Sequence, residues 1–130
     1  MAVYLLDTCV LIDVINEKKN RRLFLRSLVA AGHTLACCPI NVSEVYAGIK
    51  PKEEAQTAIL MRSLEYFPII YAVAELGGFL KRDYGKKGKT LSLTDTLIGA
   101  VAIHNGLILM TDNIKDFPMK ELQLYPLPQA

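Results

Sequence analysis

Apolar residues fall along this chain in short blocks of two kinds. Residues 3–6, Val-Tyr-Leu-Leu, form an uninterrupted apolar run, as a parallel strand buried on both faces shows. Residues 34–38 and 107–110 read the same way, and 122–125 is a shorter candidate for a last strand. Residues 67–70 are predicted as a further strand, kept short or at an edge by Pro68. Between these runs the apolar spacing changes to that of helices. Leu23, Phe24, Leu28 and Val29 share one face of a helix over 21–31, which stops at Gly32. Further helices are predicted from Asp7 and Thr8 to about Val14, over 42–49 with Asn41 opening it, over 52–64 and over 72–84. A last one starts at Ser92 or Thr94 and is closed after Asn105 by Gly106.

Strands alternating with helices, with no repeat or linker, predict a single domain over 1–130: a three-layer α/β/α sandwich around a mostly parallel central sheet. A chain of 130 residues buries a sizeable core without staples. The 52% hydrophobic content includes no run near the roughly 20 apolar residues of a membrane span. The N-terminus lacks a basic leader and carries Asp7 and Asp13, which argues against a signal peptide. Three cysteines, Cys9, Cys37 and Cys38, have no metal-ligand spacing and form an odd set, which points to a reducing cytoplasm. A net charge of +2 does not announce a nucleic-acid binder. The cations are clustered, however: Lys18, Lys19, Arg21 and Arg22 in one stretch, Lys81, Arg82, Lys86, Lys87 and Lys89 in another. Both stretches are candidates for phosphate contact beside a negative site.

The acids carry the chemistry. Asp7 follows the first strand and Asp112 follows the strand over 107–110, while Glu44 and Asp95 lie in first turns of helices. In right-handed βαβ units helix N-termini stand above the C-terminal ends of the strands, so all four acids project at one sheet edge. Singly, each has an ordinary structural explanation: Asp7 as an N-cap, Asn41 to Glu44 and Ser92 to Asp95 as capping boxes, Asp112-Asn113 as a turn. A helix N-terminus favours a carboxylate by only about 0.3–1 kcal/mol. Repulsion within a desolvated group of four exceeds that, at a few kcal/mol per pair. Four such acids at one edge therefore call for a divalent cation. Asp13, Asp83 and Asp116 fit this pattern less well, and Asp13 and Asp83 read as solvated. His33 and His104 fall at the opposite edge and read as structural. Thr8 and Thr94, flanking two of the acids, are capping residues or water-positioning ones.

The segments Leu5-Leu6-Asp7-Thr8-Cys9, Val42-Ser43-Glu44-Val45, Leu93-Thr94-Asp95-Thr96 and Thr111-Asp112-Asn113-Ile114-Lys115-Asp116-Phe117 resemble, in order and spacing, the four motifs of PIN domains. The resemblance is closest to the VapC-like toxins of toxin–antitoxin pairs and spans essentially the whole chain. It implies that Asp7, Glu44 and Asp95 hold Mg²⁺ or Mn²⁺. In the fourth motif either Asn113 supplies a neutral oxygen or Asp112 turns inward in its place, so one-ion and two-ion operation both stay open. The implied activity is endoribonuclease hydrolysis of RNA, with a cation activating water and, if present, a second ~3.5–4 Å away stabilising the leaving oxygen. The implied partners are RNA, a cognate antitoxin seated among the acids, and a second copy meeting the helices over 23–29 or 55–64.

Other classes are disfavoured. A haloacid-dehalogenase-like phosphatase needs a second Asp where Cys9 stands, and the acidic pair of a receiver domain and the glycine patterns of nucleotide-binding loops are absent. The remaining rival is a PIN-like module that binds RNA or protein without cutting.

Overall fold

A computed structural model describes residues 1–127. Its elements follow the predicted alternation: β1 (Val3–Leu6), α1 (Thr8–Ile15), α2 (Arg21–Ala30), β2 (Thr34–Cys37), α3 (Pro39–Gly48), α4 (Glu54–Arg62) after a 3-10 turn at Pro51–Glu53, β3 (Glu65–Tyr66), α5 (Tyr71–Lys86), α6 (Leu93–Asn105), β4 (Ile108–Met110), a 3-10 turn at Ile114–Asp116, and β5 (Gln123–Tyr125). The strands form one five-stranded sheet of order β3-β2-β1-β4-β5 in which every pairing is parallel.

Both faces of the sheet are covered, which is why its strands read as unbroken apolar runs. Tyr4 and Leu6 of β1 point into one buried cluster with Val10, Leu11 and Val14 of α1, Leu25 and Leu28 of α2 and Met61 of α4. Leu5, between them, points into the other, with Leu109 of β4, Val73 and Leu80 of α5 and Ile98 and Val101 of α6. Alternation of side chains along a strand thus builds the three layers.

Two predicted boundaries are corrected. Pro39 does not end a strand ahead of a helix opened at Asn41; it occupies the first turn of α3, with Cys38 as N-cap. The missing amide of proline costs nothing there, and its fixed φ suits the helix. Asn41 then reaches back, its Oδ1 accepting a hydrogen bond from the Cys38 amide at 2.9 Å. Likewise the strand is not at 67–70 but at Glu65–Tyr66. The Phe67 amide makes a final bond to the Cys37 carbonyl at 2.9 Å, after which Pro68 has no proton to donate and the chain leaves the sheet.

The loop between α1 and α2 has an unusual backbone. Glu17, Lys19 and Asn20 all take left-handed φ values, of 54°, 56° and 54°. Each such non-glycine residue costs of order 1–3 kcal/mol and persists only where the surroundings over-determine it. The residue that this loop delivers is Arg21, buried at 1% exposure.

Candidate active site

The strand order reverses between β1 and β4: the chain runs from β1 outward to β2 and β3, then returns to β4 on the other side. Open α/β sheets leave a crevice at such a point, beyond the C-terminal ends of the strands. Leu6 pairs with Met110 in register, which brings Asp7 and Thr111 side by side at its mouth. The Asp7 amide donates to the Met110 carbonyl at 2.9 Å, continuing the ladder.

Asp7 is the N-cap of α1 and is buried, with 5% exposure. Its Oδ1 accepts from the Thr8 amide at 2.8 Å and its Oδ2 from the Thr111 hydroxyl at 2.7 Å, so both oxygens are aimed by short hydrogen bonds. The Thr8 hydroxyl donates to Glu44 Oε1 at 2.6 Å and accepts from Asn41 Nδ2 at 3.3 Å. Asn41 is fully buried, so its amide side chain fixes Thr8, and Thr8 ties the first turn of α1 to exposed Glu44 on α3. Glu44 is therefore not the capping residue that the sequence offered; Asn41 does that work one turn earlier.

Asp95 sits in the first turn of α6, where the Ser92 hydroxyl accepts from its amide at 3.1 Å. Partial burial pushes the Asp95 carboxyl above the usual carboxylate range, a hydrogen bond with Ser92 opposes this, and the negative charges of Asp7, Asp116 and Glu44 push it further up. Asp95 thus feels acids from three other parts of the chain. Asp116 is the one that sequence reasoning set aside. It closes the short 3-10 turn Ile114–Asp116 that follows Asn113.

Asp112 and Asn113 are placed differently. Both Asp112 oxygens accept from Nη2 of Arg21, at 2.9 and 3.0 Å, and Lys19 Nζ lies 3.2 Å from Oδ2. Asn113 is exposed, and its amide donates to the Thr111 hydroxyl at 2.9 Å. Asp13 is not solvated: it is 14% exposed and lies 3.7 Å from Lys19 Nζ and 3.8 Å from Arg21 Nε. Asp83 is exposed, as read, with Arg82 Nε at 2.9 Å.

The basic stretches are correspondingly rearranged. Arg21 is interior and contacts no phosphate, a correction to its reading as a steering cation. Arg22 donates to the Val14 carbonyl at 3.1 Å and Lys81 to the Leu91 carbonyl at 2.6 Å. Lys86, Lys87 and Lys89 are exposed on the approach to α6.

Cys9 Sγ lies 3.6 Å from Asp7 Oδ2, and burial pushes its pKa up to about 11, so at neutral pH it is a thiol. His33 belongs to the opposite edge, where Nδ1 accepts from the Ala2 amide at 3.0 Å and the ring meets Tyr4 edge-on. His104 is in the last turn of α6, at the far end from Asp95.

Asp7, Glu44, Asp95 and Asp116 offer carboxylate oxygens, the ligand type of hard divalent cations such as Mg²⁺. Their mutual repulsion, registered at Asp95, is what a cation relieves. Among the described residues no three His, Cys, Asp or Glu side chains stand close enough to enclose an ion as placed. Away from this edge, an apolar groove of about 500 Å³ runs between α2 and α4, lined by Leu25, Val29, Leu35, Leu60 and Leu64 among others.

Comparison with known proteins bears on the family and the fold. A profile of the PIN domain matches residues 4–118. The chain is 29% identical over 120 residues to Ribonuclease VapC2 of Rickettsia felis, covering 88% of this chain and 90% of that protein. To Ribonuclease VapC2 of Haemophilus influenzae it is 32% identical over 122 residues, covering 90% and 91%. Among solved structures, VapBC2 from Rickettsia felis bound to a promoter DNA fragment superposes with a TM-score of 0.83 at 26% identity, over 95% of this chain and 97% of that one. A toxin–antitoxin complex from Klebsiella pneumoniae superposes with a TM-score of 0.74 at 27% identity, over 94% and 95%.

Proposed function

The chain belongs to the PIN domain family, and from that premise we propose that it is a Mg²⁺- or Mn²⁺-dependent endoribonuclease, the toxin of a toxin–antitoxin pair acting in the cytoplasm. The observation that carries this reading is the geometry at the switch point of the sheet: buried Asp7 has both oxygens aimed by Thr8 and Thr111, Glu44 is tied to the same turn through the Thr8 hydroxyl, and Asp95 lies in the first turn of α6. Relatives named VapC ribonucleases along nearly the whole chain support the reaction class.

Asp7, Glu44 and Asp95 would hold the cation, with Asp116 as the added acid of the group. The cation supplies Lewis-acid polarisation of the phosphate and a water of lowered pKa. The rest falls to the protein. Thr111 and the Thr8 amide fix the Asp7 carboxylate, and Asn41 through Thr8 fixes Glu44. Asp112 joins the ligand set only by giving up Arg21, and exposed Asn113 offers a neutral oxygen beside it. Lys86, Lys87 and Lys89 lie where an RNA backbone approaching α6 meets positive charge. The acidic edge suits a basic side chain of an antitoxin, in line with the structural neighbours being VapBC complexes. A second copy associates through the helical layer that carries exposed Leu23, Val29 and Ile59.

The test is RNA cleavage by protein freed of any partner, with Mn²⁺ added, beside an Asp7→Asn variant. Loss of a ligand that contributes several kcal/mol through the cation predicts a fall of about 100-fold or more. Equal cleavage by both proteins would sink the catalytic assignment. No cleavage by either supports the non-cutting RNA- or protein-binding module instead.

A further inference from the structure

Arg21 is the largest fully buried side chain among the described residues and is a permanent cation. A guanidinium in that position needs compensation, and most of it comes from one residue. Nη2 lies 2.9 and 3.0 Å from the two oxygens of Asp112, whereas Nε and Nη1 are buried without a hydrogen-bond partner among the described residues. Asp13 contributes charge at 3.8 Å, beyond hydrogen-bond reach. Asp112 lies 91 positions from Arg21 in sequence, so this pair joins the α1–α2 loop to the segment leaving β4.

That segment is the one that aims the site. Thr111, the residue before Asp112, donates to Asp7 Oδ2 at 2.7 Å and accepts from the Asn113 amide at 2.9 Å. Asp116 follows one turn later. We propose that Arg21 is a positioning residue: through Asp112 it pins residues 111–113 against β1 and so fixes the orientation of Asp7. The three left-handed residues of the α1–α2 loop are the backbone consequence, since they bring Arg21 inward to this point. Asp112 then serves as the counter-ion of Arg21, and its removal acts through the same pin.

The catalytic consequence rests on the endoribonuclease reading above, but the pin itself is read without activity. In hydrogen exchange, Arg21→Met is expected to speed exchange of the Asn113 amide about tenfold or more while the β1 amides keep their wild-type rates. In RNA cleavage the same variant is expected to lower kcat about tenfold, through misorientation of Asp7. RNA KM and its salt dependence stay at wild-type values, because a buried cation contacts no phosphate. Asp112→Asn behaves similarly, and the double variant is no worse than Arg21→Met alone, since both act through one interaction. Unchanged Asn113 exchange in Arg21→Met, or additive losses in the double variant, overturns the proposal. Should Arg21→Met fail to fold, Arg21→Lys decides: the shorter lysine head stops short of the Nη2 position that holds both Asp112 oxygens, so Asn113 exchange must again rise. A wild-type protein that cuts no RNA overturns the proposed function, and amide exchange still decides the role of Arg21.

Discussion

Asp95 shows how a site of this kind is held against its own stability. A carboxyl whose folded-state pKa stands above its unfolded value costs stability once ionised. The direction at Asp95 is upward, so that cost is present at neutral pH and fades as pH falls through the folded pKa. Asp95→Asn is therefore expected to melt a few degrees higher than wild type at neutral pH while losing RNA cleavage. The gain should shrink in acid, as the pH falls through the raised folded-state pKa and the wild-type carboxyl takes up its proton. Thermal melts at neutral and acid pH check this, and an Asp95→Asn protein less stable at neutral pH contradicts it. Asp7 and Asp95 were legible in sequence because each stands where an apolar or helical pattern begins or stops. Arg21 and Asp116 were not. A basic residue beside Lys18 and Lys19 looks solvated until a carboxylate from the other end of the chain is known to meet it. Asp116 needed a turn of only three residues, too short to leave a periodic signal.

At the scale of elements, α6 owes its position to one absent side chain. A Cβ on Gly77 of α5 would stand 2.6 Å from Leu97 Cδ2, 3.2 Å from its Cγ and 3.4 Å from its Cα. Leu97 can turn its tip away but not its backbone, so Gly77→Val forces the two helices apart. Overpacking of this kind costs about 1–3 kcal/mol. We expect a lower Tm together with weakened cleavage, because α6 carries Asp95; a melt indistinguishable from wild type would show that the helices have room to spare. Most helices were legible from apolar spacing and their stop signals, Gly106 in its left-handed cap being one. Proline was the ambiguous sign. Pro39 and Pro68 both follow apolar runs, yet the first starts a helix and the second releases a strand. What separates them is the following sequence: Asn41 returns a hydrogen bond to Cys38, whereas the helix after Pro68 starts at Ile70 with no side-chain cap.

For the whole molecule, the class of fold was readable and the strand order was not. Buried parallel strands announce themselves by unbroken apolar runs, but each run is equally apolar whichever neighbour it takes. The position of the crevice between β1 and β4 is a property of that order. The surface makes its own prediction. Leu23, Val29 and Ile59 are exposed at 64%, 55% and 73% on α2 and α4, the two helices flanking the apolar groove. Light scattering of the isolated chain is expected to give twice its 14.4 kDa, and Ile59→Asp to return it toward the monomer with its circular dichroism unchanged. A monomeric wild type at high concentration removes the association.

How copies can meet is further narrowed by the rims of the sheet. One outer strand is two residues long and runs into Pro68, the other three residues and runs into Pro126. Neither offers enough unpaired amides to template a foreign strand. Continuous β-extension from one molecule to the next, the usual beginning of fibrils, is thereby discouraged.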